Sequence, residues 1–173
     1  MITRTYGRPT LFSRHGMVAA AHPLAAQAGA RLLIQGGNAF DAAVATAAAL
    51  NVVEPFMSGL AGFGLATMWV ASEKRVRVLD FAPPLPASFP VGKYTGRFEL
   101  ERGPQAASVP GNLAGWIELL SRYGSKSLAD VLAPAITLAR DGFALSEFGR
   151  DEINEQVPLL EPWPELHEVL VKN

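Results

Sequence analysis

The sequence predicts an α+β fold, with helices flanking a β-hairpin and short strands. Three observations carry that expectation. Apolar residues recur at helical spacing before residue 54 and again after residue 111. Between those regions, residues 64–71 and 75–81 have strand composition, split by the polar turn Ser72-Glu73-Lys74. Glycine and proline, 16 and 13 residues, punctuate the junctions.

Taken in order, residues 17–21 read as a short buried strand. Pro23 suits the first position of a helix running to about Gln35, and His22 before it should be extended, with a structural role. Gly36 and Gly37 stand where a left-handed residue ends a helix. Asn38 then caps the next helix, with the Asp41 carboxylate near its exposed amides. Seven of the eleven residues from Ala39 to Ala49 are alanine, so that helix is thin enough to lie close to a sheet. Pro55 closes it, and Ser58, Gly59, Gly62 and Gly64 let backbone run where side chains would not fit. In residues 75–81, Val76 and Val78 alternate with Arg75 and Arg77, as in a half-exposed strand. Four prolines in residues 82–90 exclude helix and central strand there and predict an ordered extended loop. Leu113, Trp116, Ile117 and Leu120 mark one helix face, stopped by Gly124. Ser127 and Asp130 form a capping box for a helix reaching Arg140, kinked or divided at Pro134. Gly142 stops it, Ser146 caps another, and Pro162 and Pro164 precede a short amphipathic helix.

Composition narrows the function. The 173 residues suit a single domain, but 49% hydrophobic against 18% charged content requires apolar surface to be covered by something. A net charge of −1 without a basic run argues against nucleic acid. There is no cysteine, and His15, His22 and His167 lack metal-ligand spacing, so no metal or cofactor is expected. The longest apolar run, residues 39–53, is interrupted by Asp41 and Asn51 and too short for a bilayer, so no membrane partner is expected. The polar start lacks a secretory apolar core, and a cytoplasmic location is the expectation.

Several residues have a functional and a structural reading. Gly59, Gly62 and Gly64 reverse the spacing of a dinucleotide loop and lead from helix to strand, which disfavours a Rossmann-like binding module. Asp41 could serve as an acid, but its capping position favours structure. Gly111 opens a helix N-terminus that could face an anion, with tight packing the alternative.

These motifs together resemble the γ-glutamyltransferase (γ-glutamyltranspeptidase) family. The resemblance runs through Gly16-Met17-Val18-Ala19, His22-Pro23-Leu24-Ala25 and the Gly36-to-Gly64 segment. It continues in Leu79-Asp80-Phe81, Val109-Pro110-Gly111 with Ala114-Gly115, Arg122-Tyr123-Gly124, Leu132-Ala133-Pro134-Ala135-Ile136 and Asp141-Gly142-Phe143, covering about residues 14–150. It implies an N-terminal-nucleophile (Ntn) hydrolase, made as one precursor that cuts itself into a large and a small subunit. Residues 1–173 would be an incomplete large-subunit segment of one four-layer αββα sandwich. The implied partners are the small catalytic subunit from the same precursor and a small-molecule amide substrate. A homo-oligomer of the processed heterodimer is compatible. Many members are exported, so the cytoplasmic expectation holds unless a leader has been removed.

In the family the nucleophile is a threonine that opens the small subunit, within a Thr-Thr-His run, activated by its own amino group. No such run occurs here, and Thr3, Thr5, Thr10, Thr46, Thr67, Thr95 and Thr137 lie in unrelated contexts, so no catalytic residue is expected in this chain. The large subunit's arginine, in a pattern like Asp-Phe-Arg-Glu-x-Ala-Pro, pairs bidentately with the γ-glutamyl α-carboxylate. Here Asp80-Phe81 and Pro86-Ala87 place Ala82 at that position, which argues against ordinary γ-glutamyl transfer. Arg97 or Arg102 could bind the carboxylate from beyond the proline loop, or both are solvated charges. Relatives that hydrolyse β-lactam side chains, oxamate or poly-γ-glutamate offer another substrate class. A catalytically degenerate relative kept for binding or structure is the alternative.

Overall fold

The computed structural model describes residues 10–90, 92–94, 96, 106–160 and 162–171. Two helices, α1 (Pro23–Ile34) and α2 (Ala39–Val53), precede a hairpin of β1 (Leu65–Val70) and β2 (Arg75–Asp80). Four more follow: α3 (Asn112–Tyr123), α4 (Leu128–Asp141), α5 (Glu147–Leu160) and α6 (Pro164–Leu170). The expected α+β class with helices on both sides of a hairpin is what this chain forms.

Local chemistry sets most boundaries. His22 is extended, and its Nδ1 accepts from the Leu24 amide at 3.2 Å while Pro23 occupies the first helical position. Its ring meets Phe143 edge-on at 6.3 Å, so its role is structural, as expected. Gly36 takes φ +79° and ends α1. Asn38 caps α2 through a full capping box: its Oδ1 accepts from the Phe40 and Asp41 amides, and Asp41 accepts from the Asn38 amide at 2.8 Å. Ser127 accepts from the Asp130 amide at 3.1 Å, and Gly142, at φ +79°, ends α4. Ser146 accepts from the Gly149 amide at 3.0 Å. Pro134 lies inside one continuous helix rather than dividing it.

The core is helical. Ala25, Ala28 and Leu32 of α1, Val44, Ala45, Ala48, Ala49 and Val53 of α2, Trp116, Leu119 and Leu120 of α3, and Val131 and Ala135 of α4 form one buried cluster. The alanine helix is thin, as expected, but its close neighbours are α1 and α4 rather than a sheet. At Gly29 a Cβ would overlap Thr46 Oγ1 and lie 2.9 Å from the Ala42 carbonyl, so the α1–α2 approach requires glycine. Thr46 itself donates to Ala42 O at 2.7 Å, a structural role.

Three expectations need correction. Residues 17–21 form no strand: they pair with no other strand among the described residues, and Met17 is largely exposed. On α3, Leu113 and Ile117 are half-exposed, and the buried stripe runs instead through Trp116, Leu119 and Leu120. The hairpin faces are the reverse of a simple polar-out alternation. Leu65 pairs with Asp80 and Val70 with Arg75, which puts Ala66, Met68, Val70, Arg77 and Leu79 on the face toward the helices. Leu65, Trp69, Val76 and Val78 stand on the other face, each more than half exposed. Among the described residues no helix is long and apolar enough to cross a membrane.

Candidate functional site

Ala82, which the sequence pattern was expected to put at the substrate-arginine position, leaves the end of β2 on a tightly built platform. Phe81 donates its amide to Gly64 O at 3.1 Å, extending the hairpin by one more bond. The Asp80 carboxylate accepts from the Ala82 amide at 2.9 Å, which turns the chain into the proline loop. The Phe81 ring lies in a notch that glycines create. A Cβ on Gly64 would stand 3.0 Å from the ring, and one on Gly115 would overlap it. A Cβ on Gly111 would overlap the Phe81 carbonyl oxygen, so packing is the reason for glycine at that helix start.

The glycine-rich turn before β1 is tied to the same point. Gly62 O accepts both the Gly111 amide at 2.8 Å and the Asn112 amide at 3.0 Å. These two amides at the start of α3 are therefore engaged by protein and do not face an anion. The nearly buried Asn112 side chain donates to Gly59 O at 2.7 Å. Gly62 has little room, with Gly59 O at 3.0 Å from a would-be Cβ. Gly59 differs from the expectation: nothing lies within 4 Å of its would-be Cβ, and Gly59, Gly62 and Gly64 do not take positive φ. Asn112 was not legible as a site residue, although an asparagine directly after Pro-Gly at a helix start is the signal that marks it. Asn112→Ala is expected to destabilise by about 1 kcal/mol, the worth of one hydrogen bond, measured as a lower Tm of the full-length protein.

Ala82 is exposed, and the loop after it is neither helix nor strand through Pro90, with a turn closed by the Phe89 amide on Pro86 O at 2.9 Å. Pro83 and Phe89 are partly buried, and Leu85 is exposed. Residues 82–90 carry no basic side chain. Arg97 and Arg102 lie outside the described residues, as do Thr3, Thr5 and Thr95. Thr67 projects from the open face of β1, and Thr10 and Thr137 are exposed. Among the described residues, no three His, Cys, Asp or Glu side chains come together as a metal site would require.

Asp41 is fully buried and works as a structural anchor rather than an acid. Besides the Asn38 amide, its carboxylate accepts from the Ser125 amide at 3.0 Å, the Ser125 hydroxyl at 2.6 Å and the Lys126 amide at 3.2 Å. Asn38 Nδ2 donates to Tyr123 O at 2.6 Å, so the α1–α2 turn is fastened to the α3–α4 turn. Burial alone would raise the Asp41 carboxyl, but the hydrogen bonds from Ser125, Asn38 and Lys126 outweigh it and hold it below its ordinary value. A separate open groove of about 900 Å³ runs between residues 15–20 and the Ala39, Ala43 and Ala47 face of α2.

Residues 25–173 match the sequence profile of the family described as Gamma-glutamyltranspeptidase. The Acylase ACY 1 proenzyme of Pseudomonas sp. (strain V22) is 42% identical over 153 residues, covering 82% of this chain and 27% of the relative. The Glutathione hydrolase proenzyme of Bacillus subtilis (strain 168) is 38% identical over 149 residues, covering 82% of this chain and 25% of the relative. The crystal structure of Helicobacter pylori gamma-glutamyltranspeptidase superposes with a TM-score of 0.81 at 33% identity, covering 90% of this chain and 46% of that one. The chain thus spans about a quarter of the length of these two curated relatives. A profile match over most of its length, with relatives this similar, makes the chain a member of the gamma-glutamyltranspeptidase family of Ntn hydrolases.

Proposed function

We propose that this chain is the N-terminal part of the large subunit of a γ-glutamyltransferase-like amidohydrolase or acyltransferase. The nucleophilic threonine comes from a small subunit cut from the same precursor, and a second sheet covers the open face of the hairpin to complete a four-layer αββα sandwich. Leu65, Trp69, Val76 and Val78 support that packing, because a strand face this apolar is stable only when covered. The substrate is an amide without an amino-acid α-carboxylate at the usual place. The observation that carries this choice is Ala82, exposed at the root of the proline loop where the family pattern has its arginine. The relatives' names include both an acylase and a glutathione hydrolase, so family membership leaves more than one amide substrate open. A cytoplasmic location belongs to the same reading.

The test begins with intact mass and gel pattern of the full-length protein, where two subunit bands support self-cleavage. Wild type should then hydrolyse γ-glutamyl-p-nitroanilide feebly. Ala82→Arg should raise kcat/KM for that substrate about tenfold or more, the effect of restoring one buried charge pair. Hydrolysis of an apolar N-acyl amide should stay flat or fall, since the new guanidinium has no partner there. Efficient γ-glutamyl turnover by wild type would sink this substrate choice, and Arg97→Ala and Arg102→Ala would show which arginine holds the carboxylate. Ala82 also fits a second reading, a degenerate relative kept for binding. An uncleaved precursor whose gene lacks the Thr-Thr-His run would favour it.

A further inference from the structure

Residues 17–20 show the burial pattern of a strand but have no strand beside them. Val18 and Ala20 face the helices: Val18 Cγ1 lies 3.0 Å from where a Cβ on Gly29 would stand, and Ala20 packs against the helical core. Met17, Ala19 and Ala21 are exposed, so burial alternates with the period of two that a strand gives. Yet no backbone amide or carbonyl of residues 17–20 makes a hydrogen bond with any described residue. The groove of about 900 Å³ beside them has an apolar floor, the Ala39, Ala43 and Ala47 face of α2 together with Leu50. Of the 15 residues of α2 only Asp41, Thr46 and Asn51 are polar, and the first two are bonded inside the fold. A helix this apolar around its whole circumference belongs in a covered position. Ala39 and Ala43 nonetheless stand exposed.

Whatever fills this groove meets two demands at once. It must lay apolar side chains on the alanine floor, and it must pair the amides and carbonyls of residues 17–20, which would be costly to bury unpaired. A helix spends its own backbone groups internally and offers none along its side. A β-strand supplies both, with side chains on its faces and hydrogen-bonding groups at its edge. We propose that the groove receives a β-strand from the polypeptide beyond residues 1–173, which pairs with residues 17–20 and sets alternate apolar side chains on α2. This surface is separate from the outer face of the hairpin. The proposal rests on the reading that this chain is part of a longer precursor. The relatives support that reading, since the chain covers only 27% and 25% of their length. Methyl groups on the floor let the added strand approach closely, so its inward residues are large and apolar.

The test uses the full-length protein. Hydrogen–deuterium exchange resolved by residue should show at least two alternate amides, Met17 and Ala19 or Val18 and Ala20, slowed about 100-fold or more, as in a paired strand. Its crystal structure should show backbone hydrogen bonds from residues 17–20 to a strand outside residues 1–173. Unprotected amides at all four positions would overturn the proposal, as would a helix, a loop or a second copy of the protein in the groove. Ala43→Glu adds a carboxylate at a methyl that this chain leaves exposed, so an uncovered face would tolerate it. Under a strand the charge is buried, and Tm should fall by several degrees. An unchanged Tm would overturn the proposal equally, and if the variant does not fold, the exchange and crystal results on wild type decide. The gel pattern is read on the same samples. Two subunit bands with unprotected amides would refute the strand site alone, and one uncleaved band with protected amides would refute self-cleavage alone.

Discussion

Replacing Gly111 by alanine is expected to damage this protein more than any other single added methyl on the platform. The new Cβ would overlap the Phe81 carbonyl oxygen, a backbone atom held by its neighbours' hydrogen bonds, so no rotamer change relieves the contact. Gly111 has φ −111°, which any residue adopts, so the cost arises from overlap and not from backbone conformation. Overpacking of this kind costs about 3 kcal/mol, and here it also shifts the Gly111 and Asn112 amides off Gly62 O. Full-length Gly111→Ala should therefore lose most of its soluble yield, with a much lower Tm in what remains. Gly115→Ala meets the Phe81 ring instead, and a second change, Phe81→Leu, should recover part of its loss while leaving Gly111→Ala unrescued. Gly59→Ala, with open space around it, should stay within about 0.5 kcal/mol of wild type. Equal yields and melting temperatures for Gly111→Ala and Gly59→Ala would show that the platform tolerates the overlap.

Asp41→Ala should rank next. It strands four donors, the amides of Asn38, Ser125 and Lys126 and the Ser125 hydroxyl, at a buried point. One unsatisfied donor costs about 1–3 kcal/mol, and water entering the gap offsets some of the sum, so a loss of at least about 3 kcal/mol is expected. Asp41→Asn should cost less, since one oxygen still accepts while its amide group faces the remaining donors. The pH dependence has a definite sign. The folded carboxyl titrates below its ordinary 3.8, so its contribution is complete above that value and fades as pH falls through the lower folded one. The Tm gap between wild type and Asp41→Asn should hold steady from neutral pH to about 5 and close in more acid solution. A gap that widened on acidification would mean the carboxylate is not the acceptor in this node.

What was legible in the sequence is what short-range chemistry decides. The caps at Asn38, Ser127 and Ser146 and the helix stops at Gly36 and Gly142 need only neighbours a few residues away. The hairpin strands were readable from composition, but a period of two does not say which side faces inward. Here the face bearing Arg77 and Leu79 turned toward the helices, and Val76 and Val78 outward. The thinness of α2 was readable and its neighbour was not, because contact with α1 and α4 depends on tertiary placement. Residues 17–21 have strand composition, yet a strand exists only where a second one pairs with it. The capping role of Asp41 was visible in sequence, whereas its hold on Ser125 and Lys126 joins segments far apart in the chain. At the candidate site, motif register singled out Asp80, Phe81 and Ala82 in sequence, while the glycine notch around the Phe81 ring and the Asn112 bond to Gly59 O emerged only with the packing.

The excursion from Ala82 to Pro110 departs and returns at almost one spot. The Phe81 amide is fixed to Gly64 O where it leaves, and the Gly111 amide is fixed to Gly62 O where it comes back. Its two roots are thus held together by the scaffold itself, through these two backbone hydrogen bonds. Extra length in such a segment adds little entropic cost, about 0.6 kcal/mol for each doubling. The consequence is modularity: this stretch can be exchanged as a cassette, longer or shorter, between proteins sharing the Gly62, Gly64 and Gly111 roots. The helical core would have no reason to readjust. Evolution, or an engineer, could then retune recognition at one edge of the molecule without renegotiating the fold.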